Sequence, residues 1–236
     1  KFKISSRNYS QIQSCSNSEK HKYQHEAIYS LLDSHNLIAD DTSFVELCAG
    51  KGTLSRYIAS QLMEKKMENV AFALVDLSNF KRKHDVYIRN MNIRCERIQL
   101  DIQNLDSLKL LEDLNAKQCV FYAKHACGNA TDVSISAIKK SIDNGSCLGV
   151  CIALCCHHRC TWDSFYGWSS LQQHTEETEK IFQLLRQISS WCTCSLPDSC
   201  HLSELSNGER ELIGWRCKRI LDFARIDALL EAIGNK

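Results

Sequence analysis

The sequence has 236 residues but only one proline and nine glycines. These residues usually mark linkers, and the chain has no internal repeat, so we expect a single domain. The longest apolar run, 147–156, is far shorter than the ~20 residues that cross a bilayer, which predicts that no segment spans a membrane. The formal net charge of only +1 gives no global sign of nucleic-acid binding, so any basic face must be local.

Cysteine, in contrast, is abundant, with 14 residues. Several of them, including Cys48, Cys119 and Cys151, lie in apolar runs, where a free cysteine behaves as a small hydrophobic side chain. We therefore expect reduced thiols and a cytoplasmic or nuclear location.

Short apolar runs alternate with amphipathic segments along most of the chain. Strands are predicted at 44–48, 69–76, 94–102, 118–128 with its turn, and 146–158; helices are predicted at 19–38, after 52, after 84, at 106–114 and at 132–142. Near-continuous apolar strands separated by helices indicate a parallel sheet covered on both faces. The sequence therefore predicts an α/β, doubly wound Rossmann-like fold, with 1–40 as a helical extension and 41–236 as the core.

Polar and glycine residues follow the predicted strands, where ligands bind in this type of sheet. These strand-end residues are Glu46, Ala49, Gly50, Gly52, Asp76, Asp101 and the run from Lys124 to Gly128. We expect them to share one edge of the sheet.

The glycine turn after the first strand fits neither of two familiar phosphate-binding motifs. A P-loop would need glycine at Val45 and a hydroxyl side chain at Gly52. The dinucleotide fingerprint would need a third small residue at Ser55 to pack around a pyrophosphate. The turn therefore favours an adenosine ligand that has no pyrophosphate.

Two acidic residues suit such a ligand. Asp76 stands 24 residues after Gly52, about where a carboxylate meets the ribose hydroxyls in a Rossmann site. Asp101, at the end of the third strand, is placed to meet the adenine amino group. S-adenosylmethionine is a ligand of this kind.

Four stretches, taken in order, carry a family resemblance: VELCAGKGTLSRYIA, KHACGNATDVSISA, ALCCHHRCTWDSFYGW and ERELIGWRCKRILDFARIDALL. Together they resemble the eukaryotic tRNA 2'-O-ribose methyltransferase family that modifies the fourth nucleotide of the acceptor stem. The resemblance implies a class I methyltransferase fold, S-adenosylmethionine as cofactor and tRNA as partner. The chain departs from the family at Cys48 and Ala126, where glycine and leucine are common, and the zinc-binding modules that family members carry do not precede residue 40.

This class of fold places the turn after the fourth strand beside the transferred methyl group. We expect Lys124 as the general base, His125 as its orienting partner, and His157 as a third catalytic residue. Cys127 joins the expected cofactor site. The expected RNA contacts are His158 and Arg159 together with the local basic clusters, namely Lys81, Arg82, Arg216, Lys218 and Arg219.

The stretch ALCCHHRC, 153–160, looks like a zinc site. Consecutive residues of a strand point to opposite faces, so Cys155, Cys156, His157 and His158 are not expected to share one ion. An ion held by Cys156, Cys160 and one of the later residues Cys192, Cys194, Cys200 or His201 remains an alternative. We expect no metal, and we expect the two histidines to line the active site.

Three hypotheses for the function remain open. The first is methylation of a tRNA ribose. The second is methylation of a protein or small molecule by the same fold. The third is a non-enzymatic, zinc-stabilised RNA-binding module, which the density of cysteine and histidine and the basic C-terminal helix would suit.

Overall fold

The described residues of the computed structural model, 17–81, 83–154, 156–193 and 205–234, form one sheet of five parallel strands. The strands span Thr42–Leu47 (β1), Ala71–Asp76 (β2), Arg94–Gln99 (β3), Gln118–Lys124 (β4) and Cys147–Ala153 (β5). They lie in the order β3-β2-β1-β4-β5, so the chain winds outward from β1 in one direction and then in the other. The predicted parallel α/β sheet is confirmed.

The helices alternate with these strands and then continue beyond the sheet. They span Asn17–Ser34 (α1), Thr53–Glu64 (α2), Asp85–Asn90 (α3), Ser107–Leu114 (α4), Asn129–Asp143 (α5), Trp168–Gln172 (α6), Thr178–Ile188 (α7) and Asn207–Gly234 (α8). Asp106 shows why one of them starts where predicted, because its side chain accepts the backbone N–H groups of Leu108 and Lys109. Within the described segments, no helix has both the length and the apolar character needed to cross a membrane.

Adjacent strand residues feed two separate cores, one on each face of the sheet. Phe44 packs in a cluster with Ile58 of α2 and Ile28 of α1. The next residue, Val45, packs in a second cluster with Ile138 of α5. Since successive side chains of a strand point to opposite faces, both faces of the sheet are covered by helices, as the sequence predicts.

The fifth strand is shorter than predicted. It ends at Ala153, and the amino group of Lys218 on α8 donates a hydrogen bond to the carbonyl oxygen of Leu154 at 2.9 Å. His157–Arg159 then form a 3₁₀ turn. The prediction that a strand continues to 158 is therefore wrong, and alternation along a strand does not decide where Cys156 and His157 point. Cys155 lies outside the described residues.

A third cluster holds the C-terminal helices together beside the sheet. Phe165 and Phe182 are buried there, with ring centroids 4.8 Å apart, and Leu221 of α8 packs against them. Because this cluster shares no residue with the two sheet cores, α8 needs other contacts to fix its position on the sheet.

A chain of buried charged groups supplies that connection. Asp132, in the first turn of α5, receives two hydrogen bonds from Arg225 of α8, at 2.7 and 2.8 Å, and both side chains are almost fully buried. Asp222 lies 3.8 Å from Arg225 and hydrogen-bonds His157. Asp132 also accepts the backbone N–H of Tyr166. Asp132 is therefore the acceptor of an internal ion pair that joins α5 to α8.

We predict that Arg225→Ala lowers the free energy of unfolding by about 3–5 kcal/mol, since it leaves the Asp132 carboxylate buried without its cation. Urea denaturation measures the loss. The control is Lys180→Ala, which breaks an exposed pair with Glu177 and should change stability by only about 0.5 kcal/mol. Equal, small effects of the two substitutions would show that the buried pair does not hold α8.

Candidate active site

The strand order places a switch point between β1 and β4, where the direction of winding reverses. Glu46 of β1 pairs in register with Leu74 of β2 and with Tyr122 of β4. The residues that follow these three strands therefore emerge at one edge of the sheet, where ligands bind in open α/β folds. This edge carries the glycine turn, Asp76 and Lys124.

The glycine turn has an unusual backbone. Cys48, Gly50 and Gly52 all have positive φ angles, of 54°, 53° and 79°. A side chain at Gly52 would collide with Leu74 in the core, so the turn sits tightly on β2. A Cβ at Gly50 would meet nothing within 4 Å, which leaves the outer surface of the turn open to a ligand.

Asp76 and Arg97 fix this turn from below. The Asp76 carboxylate accepts the backbone N–H groups of Gly50 and Ser78, each at 2.8 Å. Arg97 of β3 donates to the carbonyl oxygen of Gly50 at 2.9 Å and pairs with Asp85. Arg97 was not predicted as a site residue; its only signal in the sequence is a charged side chain inside a strand.

The remaining expected cofactor residues divide between the edge and the interior. Ala49 is buried, and its N–H pairs with Val75, which continues the sheet into the turn. Asp101 lies at the end of β3, where its carboxylate accepts from the backbone and the side-chain amide of Gln103. Asp101 is thus local in its contacts, whereas Asp76 joins two strand ends.

Glu46 points inward rather than toward the open edge. It is buried, and one carboxylate oxygen accepts both the N–H and the O–H of Ser55 in the first turn of α2. The Tyr122 hydroxyl lies 2.6 Å from the Ser55 oxygen. Burial raises the pKa of Glu46 to about 7, against the opposing effects of the Ser55 hydrogen bonds and of Lys124. Glu46 therefore positions the turn and α2 from inside.

Lys124 is the last residue of β4, and its amino group meets helix α1. The Nζ atom lies 2.9 Å from His25 Nε2 and 3.1 Å from His21 Nδ1. Burial lowers the pKa of Lys124, although the negative charge of Glu46 opposes the shift. His125 follows with a φ of 71° and an exposed ring, which makes an edge contact with His21.

His21 and His25 were missed in the sequence. They stand four residues apart in a segment correctly predicted as a helix, so they share one face of it. That spacing was the available signal. It does not reveal a partner about one hundred residues away, which only the packing of α1 on the sheet brings into contact.

The turn after Lys124 approaches the segment that follows β5. Gly128 has a φ of 59°, and a Cβ there would lie 2.8 Å from the carbonyl oxygen of Arg159. Cys127 is disulfide-bonded. The expectation of reduced thiols is therefore wrong at Cys127, although nine other cysteines of the described segments are free.

His157 does not line an open site. Its ring is buried, and its Nε2 atom forms a hydrogen bond with the carboxylate of Asp222, which also lies near Arg225. The expectation that His157 is a catalytic residue lining the active site thus conflicts with its buried position. His158 is partly exposed and Arg159 is exposed, so both can reach a partner.

The zinc hypothesis gains no support from the described residues, in which no group of three or more His, Cys, Asp or Glu side chains is placed to hold a metal ion. Cys156, Cys160 and Cys192 are free thiols. The other candidate ligands, Cys155, Cys194, Cys200 and His201, lie outside the described residues.

The expected basic residues differ in their availability. Lys81 and Arg216 are exposed. Lys218 is engaged with the carbonyl oxygen of Leu154, and the Arg219 guanidinium lies over the rings of Trp215 and Phe223, 5.1 and 5.2 Å from their centroids. Arg82 lies outside the described residues.

The five-stranded parallel sheet with helices on both faces defines a Rossmann-like α/β protein. A family model described as methyltransferase TRM13 matches residues 23–236. The tRNA:m(4)X modification enzyme TRM13 of Schizosaccharomyces pombe is 31% identical over 227 residues, which cover 88% of this chain and 60% of that protein. The chain belongs to the TRM13 methyltransferase family, which confirms the family expected from the four motifs.

Two further relatives are also similar to most of this chain, and the match again covers a smaller part of the relative. The enzyme of the same name from Scheffersomyces stipitis is 28% identical, across 89% of this chain and 58% of its own length. A TRM13 homolog from Dictyostelium discoideum is 34% identical over 186 residues, or 74% of this chain and 34% of that protein. The chain thus spans less than two thirds of the length of each relative.

We predict that Glu46 makes stability fall as pH rises from about 4.5 to 7. In the unfolded chain Glu46 loses its proton near the lower value, whereas the folded protein keeps it to about pH 7. The folded state thus binds more protons in this window, so its stability decreases with pH there and is level above it. The side chain in Glu46→Gln does not titrate and keeps an acceptor oxygen for Ser55. The free energy of unfolding of this variant should therefore not show the fall due to Glu46, which amounts to up to about 3 kcal/mol in the wild type.

Urea denaturation of the wild type and of Glu46→Gln at pH 5 and pH 8 measures this difference. The other titrating groups contribute to the pH dependence of both proteins, so the comparison isolates the contribution of Glu46. Glu64→Gln, an exposed substitution on α2, should behave as the wild type does. If Glu46→Gln shows the same pH dependence as the wild type, Glu46 is not protonated in the folded protein.

Proposed function

We propose that the chain is the catalytic part of an S-adenosylmethionine-dependent enzyme that methylates a ribose 2'-hydroxyl in the acceptor stem of tRNA. The observation that carries this proposal is the Lys124 amino group, partly buried and of lowered pKa, at the same sheet edge as the glycine turn and Asp76. The names of the relatives, which describe tRNA modification enzymes, support RNA as the substrate.

The edge fits S-adenosylmethionine. Gly50 leaves the outside of the turn open, and Asp76 presents its carboxylate beside it. Asp76 would bind the ribose hydroxyls and Asp101 the adenine amino group, while Ala49 and Cys127 border the site. When bound, the cofactor would supply an electrophilic methyl group on a positively charged sulfur; an oxygen nucleophile would take the methyl group, and the neutral thioether would leave.

The protein must then place the ribose hydroxyl and remove its proton. Lys124 is suited to accept that proton because burial favours its neutral form. His125, whose ring is exposed on the adjacent turn, is suited to contact the ribose. Glu46 supports the turn from inside and does not contact the substrate.

RNA would approach over the exposed basic residues near this edge and on α8. Lys81, Arg159 and Arg216 are exposed and suited to contact phosphates. Lys218 and Arg219 have contacts within the protein, so they contribute to RNA binding mainly through their charge.

The decisive experiment is incubation with labelled S-adenosylmethionine and total tRNA, followed by nucleoside mapping. We predict label in 2'-O-methylated ribose of the acceptor stem. Lys124→Ala should lower turnover by about 10²–10⁴-fold, since it removes the proton acceptor. Lys109→Ala, on the exposed surface of α4, is the control and should leave turnover unchanged.

Label on a base or on protein, with none on ribose, would contradict the proposal. So would full turnover by Lys124→Ala.

Calorimetry tests the cofactor site separately. We predict that Asp76→Ala weakens S-adenosylmethionine binding by about 1.5–3 kcal/mol, because it removes the ribose hydrogen bonds and releases the N–H of Gly50. Asp101→Ala should weaken binding less, since it would remove only the hydrogen bond proposed to the adenine amino group and leaves the N–H of Gly50 on Asp76. An unchanged affinity of Asp76→Ala would put the ribose elsewhere.

A further inference from the structure

Helix α1 reaches the edge where methyl transfer is proposed. Its apolar residues Ile28 and Leu32 are buried in the core on one face of the sheet, which fixes the helix in place. His25, one turn earlier, is buried as well, and its ring lies 5.8 Å from that of Tyr57 on α2. The helix therefore presents His21 and His25 to Lys124 from a rigid element.

We propose that His21 and His25 are positioning residues that hold the Lys124 amino group and direct its lone pair toward the substrate. This inference rests on the proposed function. It goes further by including α1 in the active site and by giving the two histidines a defined task.

The geometry of a neutral amine carries the argument. A neutral Lys124 has two N–H groups and one lone pair, arranged with Cε as a tetrahedron around Nζ. Two ring nitrogens, His25 Nε2 at 2.9 Å and His21 Nδ1 at 3.1 Å, lie within hydrogen-bond distance of it. If each accepts one N–H, the lone pair is left to point away from α1.

This arrangement fixes the tautomers of both rings. His25 must carry its proton on Nδ1 and His21 on Nε2, so that the nitrogens facing Lys124 are acceptors. The pKa of His25 is lowered to about 4 by burial and by the nearby charges of Lys124, His21 and His125. His25 is therefore neutral at physiological pH and available as an acceptor.

The charges around Lys124 come from three directions. Glu46 is on β1, the two histidines are on α1, and His125 follows Lys124 on the turn. Glu46 favours the charged form of Lys124, whereas burial favours the neutral form. The histidines orient the amino group in either case, and after proton transfer the third N–H of the ammonium replaces the lone pair.

The test uses ring variants that keep or remove the acceptor. His25→Phe retains an aromatic ring but loses Nε2, and His25→Gln places an amide oxygen near the same position. His21→Phe and His21→Asn form the second pair, which is available because His21 is exposed and is not needed for the core. His174→Phe, at an exposed position, is the control.

We expect each Phe variant to lower kcat by about tenfold or more, with the KM for tRNA and the affinity for S-adenosylmethionine nearly unchanged. The Gln and Asn variants should recover most of the lost kcat, and the control should match the wild type. Equal loss in the Phe and amide variants, or unchanged kcat in both Phe variants, would overturn the proposal.

Nitrogen NMR of the histidine rings gives a readout that is independent of turnover. At pH 7, the predicted result is an unprotonated Nε2 in His25 and an unprotonated Nδ1 in His21, with both signals shifted in Lys124→Met. Protonation at those atoms would overturn the proposal. Wild-type protein that transfers no methyl group to RNA overturns the proposed function as well, whereas active wild type with unaffected Phe variants overturns this inference alone.

Discussion

Parallel pairing of β1 with both of its neighbours is the constraint on which the rest of the structure depends. Because β2 and β4 run in the same direction on either side of β1, the residues after all three strands emerge together. The glycine turn, Asp76 and Lys124 come from separate parts of the sequence and meet only for this reason. The hydrogen bond from the Gly50 N–H to the Asp76 carboxylate joins the ends of β1 and β2, which this pairing places side by side.

Buried polar groups then lock the edge and the C-terminal helices to the sheet. Glu46 accepts from Ser55 in the first turn of α2, and Arg225 of α8 pairs with Asp132 in the first turn of α5. Each group is costly to bury and is satisfied by a specific partner, so each selects one arrangement of its helix. The same low-dielectric surroundings that raise the pKa of Glu46 lower that of Lys124.

Hydrophobic periodicity was sufficient to predict the strands, most of the helices and the two covered faces. It also predicted which residues would follow the strands, so Asp76 and Lys124 were found as edge residues. Periodicity is a local property, and it fails where a distant side chain decides the outcome. Lys218 caps the end of β5, and Asp222 draws His157 into the interior; neither is visible in the local pattern.

The two histidines of α1 also show that a local sequence pattern does not reveal a distant partner. Their helix was predicted, and their spacing placed them on one face of it. Their spacing did not predict that Lys124 is their partner. A stretch taken as an N-terminal extension of the core thus reaches the centre of the candidate site. Tertiary packing of α1, through Ile28 and Leu32, makes the difference.

The most direct test of the central claim, that one sheet edge holds both the cofactor and the proton acceptor, is a crystal structure with S-adenosylhomocysteine and a short acceptor-stem RNA. The account predicts the ligand ribose on the Asp76 carboxylate and a ribose 2'-hydroxyl within hydrogen-bond distance of Lys124 Nζ. A ligand bound elsewhere, for example in the cavity lined by Asn104, Ser136 and Ser164, would contradict it.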